Sequence, residues 1–188
     1  MQSPRRHILR AMAAVLIAAI TAPVLSGCSD DEVSKKYSTQ YRVFCYFTVV
    51  QYAEMFNTMG NYGQFMTIRK RVDNGATRLE MSTMTSTNTY SDALLASYQF
   101  GLGGLIIGTT YYGEPRAYDL ACPTCDRANK RLTLRDNATA SCSNCHIVYD
   151  LSNDGVIVSA PSEVNTGTPR TLFRYRITYD GNNVNIHN

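Results

Sequence analysis

Ala121-Cys122-Pro123-Thr124-Cys125, sixteen further residues, then Cys142-Ser143-Asn144-Cys145-His146: on this stretch the reading of the fold turns. Two residues between a pair of thiols make a tight turn that aims both sulfurs at one point. A second such turn on a neighbouring hairpin completes a tetrahedron. Four thiolates around one ion also need N–H donors to spread their charge, and turns rich in Ser and Asn expose them. Cys122, Cys125, Cys142 and Cys145 are therefore expected to hold a metal ion or an iron–sulfur centre. The same spacing also admits two disulfides in an oxidising compartment, since the thiols of a pair are close enough to bond. A thioredoxin-like redox pair fits less well, because such pairs occur singly, near the start of a helix in an α/β fold.

Outward from the cysteines, the chain reads as strands and turns. Tyr, Thr, Val and Ile are frequent, Gly and Asn punctuate them, and tryptophan is absent. Tyr41, Val43, Cys45 and Phe47 alternate with Arg42, Phe44, Tyr46 and Thr48, which predicts a strand with Cys45 as a small buried apolar residue. Only Gln51 to Met59 carries helical spacing. Phe65 to Arg69 and Thr77 to Met81 are expected to pair across Asp73-Asn74-Gly75, and the polar tract Ser82 to Asn88 reads as a loop. Gly101-Leu102-Gly103-Gly104 lacks the third glycine of a dinucleotide fingerprint and the Lys and Ser or Thr of a P-loop, so it predicts a bend before the buried run Leu105 to Gly108. Strands follow over Thr109 to Tyr112 and Arg116 to Leu120. The chain ends in a hairpin, with Phe173, Tyr175, Ile177 and Tyr179 alternating before Asp180-Gly181-Asn182-Asn183, and Val184 and Ile186 on the return. The class is mainly β.

The first residues follow a different logic. Arg5, Arg6 and Arg10 precede an apolar run from Ala11 to Leu25, the layout of a secretory signal peptide and too short for a bilayer span of about twenty residues. The run ends Leu25-Ser26-Gly27-Cys28, which resembles the lipobox of bacterial lipoproteins. That likeness implies cleavage after residue 27 and acylation of Cys28, with membrane lipid as the partner. Residues 28–36 then form a polar tether, and 37–188 one domain. Its acidic cluster Asp30, Asp31 and Glu32 resembles the export signal of surface lipoproteins in Bacteroidetes. The expected location is the bacterial cell envelope, at the outer membrane, facing the periplasm or the surface. Without the leader's three arginines, fifteen basic residues face fifteen acidic ones, which gives no electrostatic case for nucleic acid.

From Gly104 to its end the chain resembles the Rieske family of iron–sulfur domains, and within it the divergent Rieske-like lipoproteins of Bacteroidetes. The residues that carry the likeness are Arg116 to Pro123, Cys142 to Cys145, Tyr149-Asp150-Leu151, Asp154-Gly155, Ala160-Pro161, and Leu172, Tyr175 and Ile177 before the last turn. It implies an antiparallel β-sandwich with a small metal-binding subdomain over 117–150, covered by a loop at Pro161. The departure is chemical: a Rieske centre is held by Cys-x-His and Cys-x-x-His, whereas here Thr124 with Cys125 and Cys145 stand where the histidines belong. Pro123 after the first thiol also resembles rubredoxin and the zinc ribbons. On ligand type, Zn²⁺ in a structural role is the leading expectation; a [2Fe–2S] cluster or a single iron, serving electron transfer with an envelope protein partner, is the alternative. Catalysis is not expected, because four protein ligands leave no position for substrate. His146 is expected beside the site rather than in it; His7 falls in the leader and His187 is the penultimate residue, so no catalytic histidine set exists.

Overall fold

β1 (Val43–Thr48) buries Val43, Cys45 and Phe47 and turns Phe44 and Tyr46 outward, the two-residue period of a strand with one wet face. The computed structural model describes residues 37–164 and 168–188. The expected leader, the Cys28 anchor and the tether lie outside the described residues. No helix among the described residues is long and apolar enough to cross a membrane.

After a short 3-10 turn, the predicted helical segment forms α1 (Ala53–Met59), which buries Met55 and Met59. β2 (Gln64–Asp73) and β3 (Ala76–Ser82) pair across Asn74-Gly75, both at positive φ, the backbone a two-residue hairpin turn with matching twist requires. The polar tract beyond is not a loop throughout. Thr83 to Ser86 turn the chain, and β4 (Thr87–Tyr90) adds to β3 as an edge strand, its polar side chains largely exposed.

The glycine bend leads from β5 (Gln99–Phe100) into β6 (Leu105–Thr109), buried along its whole length, and then β7 (Pro115–Asp119). The expected strand over Thr109 to Tyr112 ends at Thr109. Thr110 instead closes a turn, its hydroxyl accepting the N–H groups of Tyr112 and Glu114. β12 (Arg174–Tyr179) and β13 (Asn183–His187) form the final hairpin. These strands make one antiparallel nine-stranded sheet in the order β4-β3-β2-β6-β7-β12-β13-β1-β5. Its core includes Met66, Ile68, Met81, Leu105, Tyr175 and Ile186, with an edge-to-face chain of rings running Tyr90, Tyr52, Phe47, Tyr98 and Phe100. The side chain of Asn188 laces the segment leading into β1: it accepts the Val43 N–H and donates to the carbonyls of Ser38 and Tyr41.

A second, four-stranded antiparallel sheet holds β8 (Leu132–Arg135), β9 (Thr139–Cys142), β10 (Val148–Asp150) and β11 (Val156–Ser159), in the order β11-β10-β9-β8. It has its own core, in which Cys122, Cys142 and Cys145 pack with Phe65, Ile106, Tyr118, Tyr149 and Leu172. The mainly β, antiparallel class is thus as expected, with the cysteines in the two connections that lead into β8 and β10 and at the end of β9.

Candidate metal centre

Each cysteine pair sits at the tip of a hairpin connection. Cys122 N–H donates to the Lys130 carbonyl and Leu132 N–H to the Leu120 carbonyl, which closes the first; Cys142 N–H donates to the Ile147 carbonyl, which closes the second. The two tips share one local geometry. In the first, the Asp126 N–H donates to the Cys122 carbonyl at 2.9 Å; in the second, His146 donates to Cys142 at 2.9 Å. Both closing residues are left-handed, with φ 50 at Asp126 and 59 at His146. A turn folded this way points successive N–H groups inward, onto the sulfurs.

The Sγ atoms of Cys122, Cys125, Cys142 and Cys145 all lie within 4.8 Å of one another. Two contacts cross between the tips: Cys122 to Cys145 at 3.5 Å and Cys125 to Cys142 at 3.7 Å. A disulfide needs about 2.05 Å, so these contacts are non-covalent. Ligands about 2.3 Å from a tetrahedral ion stand roughly 3.8 Å apart, which is close to the separations found. The four cysteines therefore form a group that could bind a metal.

Burial pushes the Cys122 thiol up to about 11, against the opposing pull of the Cys125 N–H and the Tyr149 hydroxyl. Cys145 is raised as well, chiefly by burial. Burial acts in the same sense on Cys142, but the N–H groups of Cys145 and Asn144 with the neighbouring thiols outweigh it and hold this thiol below its ordinary value. Such N–H groups stabilise sulfur as thiolate, the form that ligates.

A surrounding layer of polar contacts had no sequence signal beyond proximity to the motif. The Tyr149 hydroxyl lies 3.6 Å from Cys122 Sγ and 3.2 Å from Thr124 Oγ1, and the Asn144 amide donates to Cys125 Sγ at 3.4 Å. Thr124 is buried and accepts the Arg170 N–H at 3.2 Å. That bond, with Val164 packed on the cysteine core and Arg170 paired to Asp126 at 3.6 Å, lays part of the β11–β12 connection against the first tip. Pro161, expected to cover the site, is itself exposed. His146 is exposed too, and its ring is not among the converging groups.

Ahead of the first tip lies a buried carboxylate. Asp119 accepts the N–H groups of Leu102, Gly103 and Ala121 at 2.6, 3.0 and 2.7 Å. The glycines are needed there: a Cβ on Gly103 would stand 2.7 Å from the Ala121 nitrogen. Cys45 stays apart in β1, its thiol donating to the Gln99 carbonyl at 3.2 Å and pushed by burial up to about 12, the condition of an unreactive core residue.

Compared with protein-family models and with curated proteins, the chain matches none.

Proposed function

We propose that the chain is an envelope lipoprotein, held on the outer membrane through an acylated Cys28, whose Rieske-like β domain carries one structural, non-catalytic Zn²⁺. The observation that supports a single ion rather than a cluster is the packing of all four sulfurs within 4.8 Å, with contacts of 3.5 and 3.7 Å crossing between the two tips, and zinc is the reading taken for that ion on ligand type. A binuclear cluster sets sulfurs on opposite irons farther apart than sulfurs on the same iron; a single ion draws all four to comparable distances. Cys122, Cys125, Cys142 and Cys145 fill the tetrahedron, so no position is left for a reacting water. The metal would join two hairpins that otherwise meet through the β8–β9 pairing, a small core and the Asn144 and Tyr149 contacts.

Elemental analysis and a visible spectrum, on protein purified without added metal, test this reading. One zinc per chain with no visible absorbance is expected; stoichiometric iron rejects it. Mass spectrometry of protein extracted from membranes should find an acylated N-terminal Cys28, and a different mature terminus removes the anchor.

A second reading, electron transfer through a single iron or a [2Fe–2S] cluster, is favoured by one feature. Cys125 is only half-buried, which would bring a redox centre near solvent and a protein partner. Reversible bleaching by dithionite identifies it.

A further inference from the structure

At the opposite end of the small sheet from the cysteines lies a polar cleft. β8 and β9 pair Leu132 with Cys142 at one end and Arg135 with Thr139 at the other, and the cleft begins at that far end. It consists of two adjoining cavities of about 470 and 270 Å³ that share Gln64, Thr83 and Thr85. The larger is lined further by Glu54, Asn57, Asn61 and Tyr62; the smaller reaches Tyr111 and Asn137.

Two tyrosines on the rim are seated in a reciprocal way. Tyr111 packs its ring on Gly63, where an added Cβ would come within 2.3 Å of it; Tyr62 packs on Gly113, where a Cβ would stand 3.4 Å from its ring. Each ring thus rests against a glycine in the other's segment, yet Tyr62 is 68% and Tyr111 53% exposed. The fold gains little from rings so placed. A rigid exposed ring does provide a stacking surface that loses little entropy on binding.

The chemistry of the lining selects the ligand. Hydroxyls of Thr and Ser and amides of Asn and Gln each offer a donor and an acceptor, the complement of a neutral polyhydroxylated molecule. While Arg135 and Asp136 in the smaller cavity carry opposite charges, the buried Glu54 carboxylate, fixed by the Asn88 amide and the Tyr90 hydroxyl, adds acceptor lone pairs to the larger cavity and disfavours anions there. Because both of its oxygens are engaged, it makes a poor site for a free cation. Sugars alone among common ligands combine dense hydroxyls with a C–H face that lies on an aromatic ring. We propose that this cleft binds a neutral oligosaccharide, with Tyr62 and Tyr111 stacking on sugar rings and Gln64, Asn57 and Glu54 bonding hydroxyls. The site does not depend on which metal the cysteines hold.

The test uses the full domain as purified, metal included. Isotope-labelled protein is titrated with linear gluco-, xylo- and manno-oligosaccharides, and the side-chain amides of Asn57, Asn61 and Gln64 are followed by NMR. At least one member of the panel should give saturable shifts at these amides. Tyr62→Ala should weaken it by about tenfold or more, whereas Tyr62→Phe, which keeps the ring, should stay close to the parent. Gln64→Ala serves as a second probe should Tyr62→Ala melt early. Absence of saturable binding across the panel, shifts confined to another face, or equal affinity in Tyr62→Ala and Gln64→Ala overturns the proposal, and so does preferential binding of a simple amine.

Discussion

Tyr175 donates its hydroxyl to Oδ2 of Asp119 at 2.7 Å, and both side chains are wholly buried. This bond ties β12 to β7 immediately before the first cysteine tip, on the carboxylate that also gathers three backbone N–H groups. Burial raises the Asp119 pKa, opposed by those N–H groups and the tyrosine hydroxyl. Removing the hydroxyl leaves buried charge less well solvated. Tyr175→Phe is expected to cost about 1–3 kcal/mol in urea unfolding. A change near zero would mean the backbone donors suffice.

Glu80 supplies a pH dependence. It is buried, which raises its pKa, but the guanidinium groups of Arg69 and Arg71 bond it and carry it below the ordinary carboxylate value. A carboxyl whose folded-state pKa is depressed stabilises the fold fully above its unfolded pKa, and that contribution fades as pH falls through the folded value. Thermal melts from neutral pH down to about pH 3 should show an acid limb that is shallower in Glu80→Gln than in the parent. Parallel limbs would assign acid sensitivity to other groups.

Metal removal should act on the whole domain. With the cysteine tips packed on Tyr118, Ile106 and Phe65 of the nine-stranded sheet, loss of the ion by chelation, or Cys142→Ala, is expected to cost at least about 3 kcal/mol, or roughly 6–12 °C in Tm. Calorimetry with and without chelator reads this directly. An unchanged melting temperature in both cases argues that no ion contributes to folding.

His146→Gly separates a ligand from a turn residue. With φ at 59, this position favours glycine, so the variant should be about 1 kcal/mol more stable and should keep its metal against a competing chelator. Faster metal loss would place the imidazole at the ion.

Local chemistry explains which features were legible from sequence. Asn74-Gly75 and Asp180 to Asn183 announce their hairpins, because turn residues fix register without help from distant chain. The four cysteines carry a spacing that few other demands produce. By contrast, β4 is an edge strand whose Thr and Asn face water, so no alternation marks it. Arg174 reads as the polar face of its strand yet is 7% exposed, because Asp154, from a turn twenty residues earlier, pairs with it and with Arg116 while the Tyr37 ring covers it. Asp119 gave no warning either: its partners come from a glycine bend and from β12, which only the folded sheet brings together. Thr124 and Tyr149 likewise become neighbours of the sulfurs through pairing of distant segments.

The lacing by Asn188 bears on mechanics. Any pull applied through the chain ahead of Tyr37 first meets the Ser38 N–H bonded to the Arg174 carbonyl, then the Asn188 side chain, then five registered pairs from Phe44↔His187 to Thr48↔Asn183. Because β1 lies between two neighbours in the sheet, tension falls on the five pairs with β13 and also on two pairs with β5, Val43↔Phe100 and Phe44↔Gln99. A protein held by its front end under flow would keep its shape at forces that strip a domain whose leading strand sits at the border.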